Sequence, residues 1–278
     1  MNIGKYVSMY SEDLRLKNYS ENTIKNYCSQ VELFLKHFNS QVTKPSEISE
    51  AKIKSWLMLA KTINSRKHRL SAVKLFYTLT GKQPLKFKHI EYPRAERKLP
   101  VVLSIDEIQR MFSVCRNIKH KVILSLLYGC GMRVSELINL RWSDIDRERM
   151  VILIRNAKGH KDRQVMLPAN IIDLLKKYWY EYRSKEYVLN GQFDMKYSSG
   201  SVLNVVKDLA AAAGIKKHVY THLIRHCSFT HMVEAGTDIN LIQRIAGHAS
   251  AKTTAIYTHI SDKVVSKIHS PINAISFD

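Results

Sequence analysis

Cysteine is scarce in this chain of 278 residues: Cys28, Cys115, Cys130 and Cys227 are the four present, far apart and with no C-x-x-C pair. No signal-peptide pattern precedes them, so they read as reduced thiols in a cytoplasmic protein, not as a disulfide framework. Long apolar runs are missing too. Without a stretch of about 18 such residues, a membrane-spanning helix is not expected. No P-loop, EF-hand loop or paired-carboxylate pattern occurs, which argues against chemistry driven by ATP or a divalent metal. Internal repeats and low-complexity tracts are also absent.

Acid is the other shortage. Asp and Glu number 24 against 44 Lys and Arg, for a formal net charge of +20 spread along most of the chain. Such a field favours a polyanion, and in a cytoplasmic chain nucleic acid is the first candidate. A merely basic protein is the plainer alternative, which charge alone does not exclude. With 45% hydrophobic residues, the chain is not disordered and is long enough for two cores.

Residues 1–85 read as a helical bundle. Ile3, Tyr6, Val7, Tyr10 and Leu14 share one helical face, and Ser20 is placed to cap a second helix carrying Ile24, Tyr27, Val31, Phe34 and Phe38. A third helix is expected over 51–61 with Trp56 and Leu57. A fourth, over 63–80, turns Leu70, Val73, Phe76 and Tyr77 inward and stops before Gly81 and Pro84. Lys52, Lys54, Lys61, Arg66, Lys67, Arg69 and Lys74 fall on outward faces, where a dense basic surface suits phosphate contacts and a solvated helix face is the alternative.

Residues 86–102 carry charge and two prolines, as an interdomain linker would. Ser104 and Glu107 then form a capping-box pattern that opens a second domain, 103–262. Gly129 and Gly131 flank a turn before a short helix that begins near Arg133. There Glu136, three residues on, offers an ion-pair partner. Residues 150–155 and 163–167 read as strands joined by a polar hairpin, with Lys158 near its tip and Lys161 as a rival. Lys161 and Arg163 join the basic residues expected near DNA. A helix is expected over 169–183 with Leu174, Leu175, Tyr178 and Trp179 inward, then a polar loop to Ser198 and a helix over 200–213. The fold class is therefore mainly α with a small β-sheet (α+β).

Residues 220–259 hold the chemistry. Turn signals at Ala235-Gly236 and Gly247-His248 divide three short helices that present His222, Arg225, His248 and Tyr257. A phenol with a pKa near 10 is a weak nucleophile until a base or local positive charge activates it. Guanidinium groups fork around phosphate oxygens, and imidazoles donate hydrogen bonds or move protons. Together these groups suit attack on a phosphodiester.

The spacing H-x-x-R-H, then Gly247-His248, then Tyr257 closely resembles the second catalytic box of the tyrosine recombinase (phage integrase) family. Gly129 to Leu137 resembles the family's G-x-R-x-S-E-L box, and Asn156 to Arg163 resembles its lysine-bearing hairpin. The resemblance implies Arg133, Lys158, His222, Arg225, His248 and Tyr257 as catalytic residues, with Tyr257 the nucleophile. It implies a helical core-binding domain ahead of the catalytic one, no cofactor and no metal. It also implies double-stranded DNA with specific sites as partner, a homotetramer on that DNA, possible pairing with a recombinase paralogue, and a tail, 263–278, exchanged between subunits. In this picture Arg133 and Arg225 clamp the phosphate, Lys158 protonates the leaving 5′-oxygen, His222 handles the tyrosine proton, and His226 faces away from the site.

Cys227-Ser228-Phe229-Thr230-His231 departs from the family's usual continuation, as does Ala246 before Gly247; neither change removes a catalytic group. Starting almost at the helical domain, the chain resembles a simple Xer-like or mobile-element recombinase without a separate arm-binding domain. A type IB topoisomerase and a non-catalytic DNA-binding protein are the alternatives. A zinc site at His222, His226 and Cys227 is disfavoured because a further ligand is lacking at suitable local spacing.

Overall fold

The computed structural model describes residues 1–94, 101–157, 161–192, 195–247 and 254. Its chain falls into two compact units, Met1–Lys98 and Leu99–Asp278.

The first unit is built from helices α1 (Ile3–Leu16), α2 (Glu21–Phe38), α3 (Glu50–Met58) and α4 (Ile63–Leu79). Each begins at a side-chain cap: Asn2, Ser20, Ser49 and Thr62 accept hydrogen bonds from the amides of Lys5, Thr23, Lys52 and Ser65, satisfying donors that a helix start leaves open. The apolar faces named from periodicity meet here. Phe34 packs edge-to-face on Trp56, Phe38 and Tyr77. Two polar tips are satisfied inside this core: the Tyr10 hydroxyl donates to the Ala72 carbonyl at 2.9 Å and the Tyr77 hydroxyl to that of Pro45 at 2.6 Å.

Two boundaries differ from expectation. Helix α3 stops at Met58 because the amides of Leu59 and Ala60 turn back to the carbonyls of Trp56 and Leu57. The segment expected to begin a linker at 86 is instead part of the bundle. A 3-10 turn over Pro84–Phe87 sets Phe87 and Ile90 into the first core, and the Lys86 ammonium lies over the Tyr77 ring. Residues 95–100 lie outside the described residues.

In the second unit the capping box is present in full: the Glu107 amide donates to Ser104 Oγ at 3.1 Å and the Ser104 amide to Glu107 Oε2 at 2.7 Å. It opens α5 (Ile105–Val114). Helix α6 (Ile118–Gly129) is buried from Val122 through Leu127 and forms the centre of the larger core. After the short α7 (Val134–Leu137), three antiparallel strands follow in the order β1 (Ile145–Asp146), β2 (Val151–Ala157), β3 (Lys161–Met166). β1, two residues long, shows no alternation from which it could be anticipated. In the β2–β3 register Ile152 faces Val165 and Ile154 faces Arg163.

Helices α8 (Ala169–Tyr182), α9 (Ser199–Ala212), α10 (Thr221–Glu234) and α11 (Ile239–Ala246) complete the described part. Leu175 and Tyr178 are buried as expected, but Trp179 is 38% exposed, under the Arg183 guanidinium. The loop after α8 is less polar in its role than in its sequence: Val188 and Leu189 are fully buried, and the Val188 amide donates to the Leu140 carbonyl at 2.8 Å. The architecture is mainly α with one small sheet. Among the described residues no helix is long and apolar enough to cross a membrane.

Candidate active site

Helix α10 is the spine of the site. Its first turn carries His222, its second Arg225 and His226, and eight of its residues, Arg225 among them, are buried. A guanidinium at 1% exposure would cost several kcal/mol if left without hydrogen bonds. Arg225 Nη1 donates to the Gly131 carbonyl, Nη2 to the Ala246 carbonyl at 2.6 Å, and the group lies 4.6 Å over the Phe229 ring. Gly131 offers its carbonyl from a left-handed backbone, φ +58°, and an added Cβ would lie 2.7 Å from Phe229 Cζ. This is why glycine stands there.

Two residues later Arg133 occupies the N-cap position of α7. Its amide and Nη1 both donate to Glu136, each at 2.8 Å, and Nη2 donates to the Ala246 carbonyl at 3.0 Å. The ion pair its spacing allowed is thus formed, while the side chain stays 21% exposed. Glu136 accepts hydrogen bonds from both Arg133 and Arg163. Burial alone would raise its carboxyl; Arg163 and Arg133 outweigh that and hold it at about 2. The hydrogen-bonded ion pair dominates because both partners sit in a poorly solvated pocket.

His222 is exposed, yet partial desolvation of its ring and then the charges of Arg225 and Arg133 push it below the ordinary imidazole range. His226, expected to face away, lies beside it: one helical turn on, its ring sits 4.5 Å from that of His222, edge-on. Burial, then His222 and Arg225, lower it to about 4. Both imidazoles are therefore neutral at neutral pH, able to accept as well as donate one proton each.

Lys158, His248 and Tyr257 lie outside the described residues, as does the tail. Lys161 opens β3. The bundle's basic residues are put to mixed use. Arg69 is turned inward, with its guanidinium 4.7 Å over the Trp56 ring and Nη1 donating to the Trp56 carbonyl at 3.3 Å. Lys54 pairs with Glu50 and Lys74 lies over Tyr92. Lys52, Arg66 and Lys67 are partly buried on α3 and α4, and Arg66 Nε is buried with no hydrogen-bond partner. Arg163 departs most from expectation. Its side chain is only 8% exposed and is held by Glu136 inside the protein. Its place could have been read from β3, since period-2 alternation puts it on the same face as buried Val165 and Leu167.

A helical unit precedes a mainly α unit in which two arginines meet at the end of α11 and their charges reach His222, an arrangement in line with the tyrosine recombinase class. Family models agree along most of the chain: residues 8–86 match the phage integrase N-terminal SAM-like domain and residues 102–263 the phage integrase family. The chain belongs to the phage integrase family, and as a tyrosine recombinase it is an enzyme of site-specific DNA recombination.

Among relatives, a putative integrase/recombinase, y4qK, of Sinorhizobium fredii is 32% identical over 95% of this chain and 87% of its own. A tyrosine recombinase of Thermosipho africanus is 32% identical over 94% and 97%. The crystal structure of XerA recombinase is 32% identical, with TM-score 0.57, covering 96% of this chain and 97% of that one. A lambda integrase tetramer bound to a Holliday junction shares the fold at TM-score 0.74 and 17% identity, covering 92% and 76%.

Proposed function

We propose that this protein cuts and rejoins duplex DNA at specific sites through a 3′-phosphotyrosyl intermediate on Tyr257, without metal or ATP. The observation that carries the reading is the convergence of Arg133 and Arg225 on one carbonyl, that of Ala246, two residues before His248. Two guanidiniums gathered in a partly desolvated pocket are the groups needed to stabilise a charged phosphorane-like transition state where no metal does so.

In this mechanism Tyr257 attacks the scissile phosphorus, the P–O5′ bond breaks, and a 5′-hydroxyl leaves. Arg133 and Arg225 hold the non-bridging oxygens and Lys158 protonates the leaving oxygen. His222, kept neutral by its surroundings, accepts the phenolic proton, and His248 donates to the phosphate. Reversal by another strand's 5′-hydroxyl joins new partners, because the phosphotyrosine conserves the ester. We assign the bundle, which extends through Ile90, to a core DNA-binding domain, the residues from there to 102 to a linker, 103–262 to catalysis and 263–278 to a tail exchanged between subunits. The active assembly is a homotetramer on double-stranded DNA in the cytoplasm, and Lys52, Arg66, Lys67, Lys74 and Lys161 are its backbone contacts.

The test is a denaturing gel of protein with nicked duplexes taken from the DNA flanking its own gene, in the presence of EDTA. The wild type should give a detergent-resistant adduct, and Tyr257→Phe should give none while binding DNA with similar affinity. An adduct in the variant, or an adduct that requires a divalent metal, contradicts the mechanism.

A further inference from the structure

Arg163 lies on β3, just past the hairpin turn. All three sides of its guanidinium are used: Nη1 and Nη2 donate to the two oxygens of Glu136 at 2.6 and 2.7 Å, and Nε donates to the Ile245 carbonyl at 2.8 Å. The arginine passes close under the end of α11, where a Cβ on Gly247 would lie 2.8 Å from Arg163 Cδ. One buried side chain therefore ties β3 to α7 and to the segment that leads into His248.

The charges sharpen this. Arg133 and Glu136 alone make a neutral pair; with Arg163 the cluster carries one net positive charge. Arg163 is thus the counter-ion of Glu136, which leaves the Arg133 charge uncompensated for a phosphate. The charged groups that face Glu136 among the described residues are Arg133 from the cap of its own helix and Arg163 from β3; α11 contributes carbonyls.

We propose that Arg163 is a positioning residue for strand cleavage: through Glu136 it keeps the Arg133 charge available to phosphate, and through the Ile245 carbonyl it fixes the end of α11. The inference rests on the recombinase reading above. Arg163 itself touches no DNA.

The experiment compares wild type, Arg163→Met and Arg163→Met/Glu136→Gln in single-turnover adduct formation on the nicked duplexes, at pH 5 to 8. The single variant should lose roughly a hundredfold in rate at pH 7.5, the scale of losing one electrostatic contribution to a transition state. The double variant, which restores the net charge, should recover most of it. In the single variant Glu136 keeps only one guanidinium against its burial, so its proton is taken up at higher pH than in the wild type. Protonation restores the net charge, and the deficit relative to wild type should shrink as pH falls toward 5. The double variant should lack that dependence.

Binding to a mixed-sequence 30-mer duplex should keep its salt slope in Arg163→Met, whereas loss of a phosphate contact would lower the slope by about 1. A double variant no faster than the single one, a deficit independent of pH, or a lowered salt slope overturns the proposal. Hydrogen exchange separates this from failure of the recombinase reading. If the wild type forms no adduct, that reading falls, and the α11 amides still decide the anchoring of Ile245: exchange at least tenfold faster in both variants supports it, and unchanged exchange overturns it. Should Arg163→Met not fold, Arg163→Lys keeps the charge without the three-sided donor set; it should lose less than tenfold in rate yet show the same faster exchange.

Discussion

Arg133 and Arg225, 92 residues apart in sequence, donate to the same oxygen: the Ala246 carbonyl, at 3.0 and 2.6 Å. A carbonyl at the end of α11, one of those a helix leaves without an internal partner, thereby gathers two positive charges that would otherwise repel. The site is shaped before DNA arrives, by backbone oxygens placed through two glycine turns, Gly131 at φ +58° and Gly247 at φ +61°.

Arg225→Lys should test the geometry apart from the charge. Lysine has one compact ammonium and cannot reach the Gly131 and Ala246 carbonyls together. We expect adduct formation to fall by about 10²–10³ and stability to fall by about 2 kcal/mol for an unsatisfied buried carbonyl. Urea unfolding beside single-turnover cleavage measures both.

Gly131→Ala should be costly. It forces a left-handed backbone on a residue with a side chain and drives a Cβ to 2.7 Å from Phe229, together about 2–4 kcal/mol. Gly214→Ala, left-handed at φ +68° but with open space around it, should cost about 1–2 kcal/mol. The difference between their unfolding midpoints measures the crowding at the site.

Stability should depend on pH through His226. Its folded pKa, about 4 against an ordinary 6.5, is depressed, so between pH 6.5 and 4 the unfolded chain binds more protons. The stability it contributes is complete above 6.5 and is lost as pH falls through that window, at roughly 1 kcal/mol per pH unit. His222 acts in the same direction. His226→Gln should flatten the curve of urea stability against pH; an unchanged slope would remove His226 as its cause.

The cysteines should differ in reactivity. Burial pushes Cys130 up to about 12 and Cys227 to about 11, so neither supplies thiolate near neutrality. A disulfide reagent at pH 8 should label the partly exposed Cys28 first and leave Cys130 and Cys227 unlabelled until the protein unfolds.

Much of this was legible in the sequence because local rules carried it. Ser20 and Ser104 cap where their spacing places them, and Leu70, Val73, Phe76 and Tyr77 face inward at the helical period. The turn at Gly129–Gly131 and the helix bearing His222 and Arg225 also follow from short-range signals. Phe87 and Ile90 were hidden in a charged, proline-bounded stretch, where two apolar residues without periodicity give no sign of which core takes them. Spacing alone points Trp179 inward, whereas the residue is 38% exposed at the edge of the helix. Charge alone points Arg163 toward DNA. Strand alternation placed it inside, but its counter-ion Glu136 comes from 27 residues away, a pairing that only the fold reveals.

The most direct test of the central claim is chemical. The adduct formed on a nicked duplex is digested with nuclease and trypsin, and the nucleotide-bearing peptide and the released DNA end are identified. The account predicts a modified peptide spanning Thr253–Lys263, with the phosphate on Tyr257, and a released strand whose 5′-hydroxyl is labelled by polynucleotide kinase without prior phosphatase. A nucleotide on any other residue, or a released strand that already carries a 5′-phosphate, would contradict it.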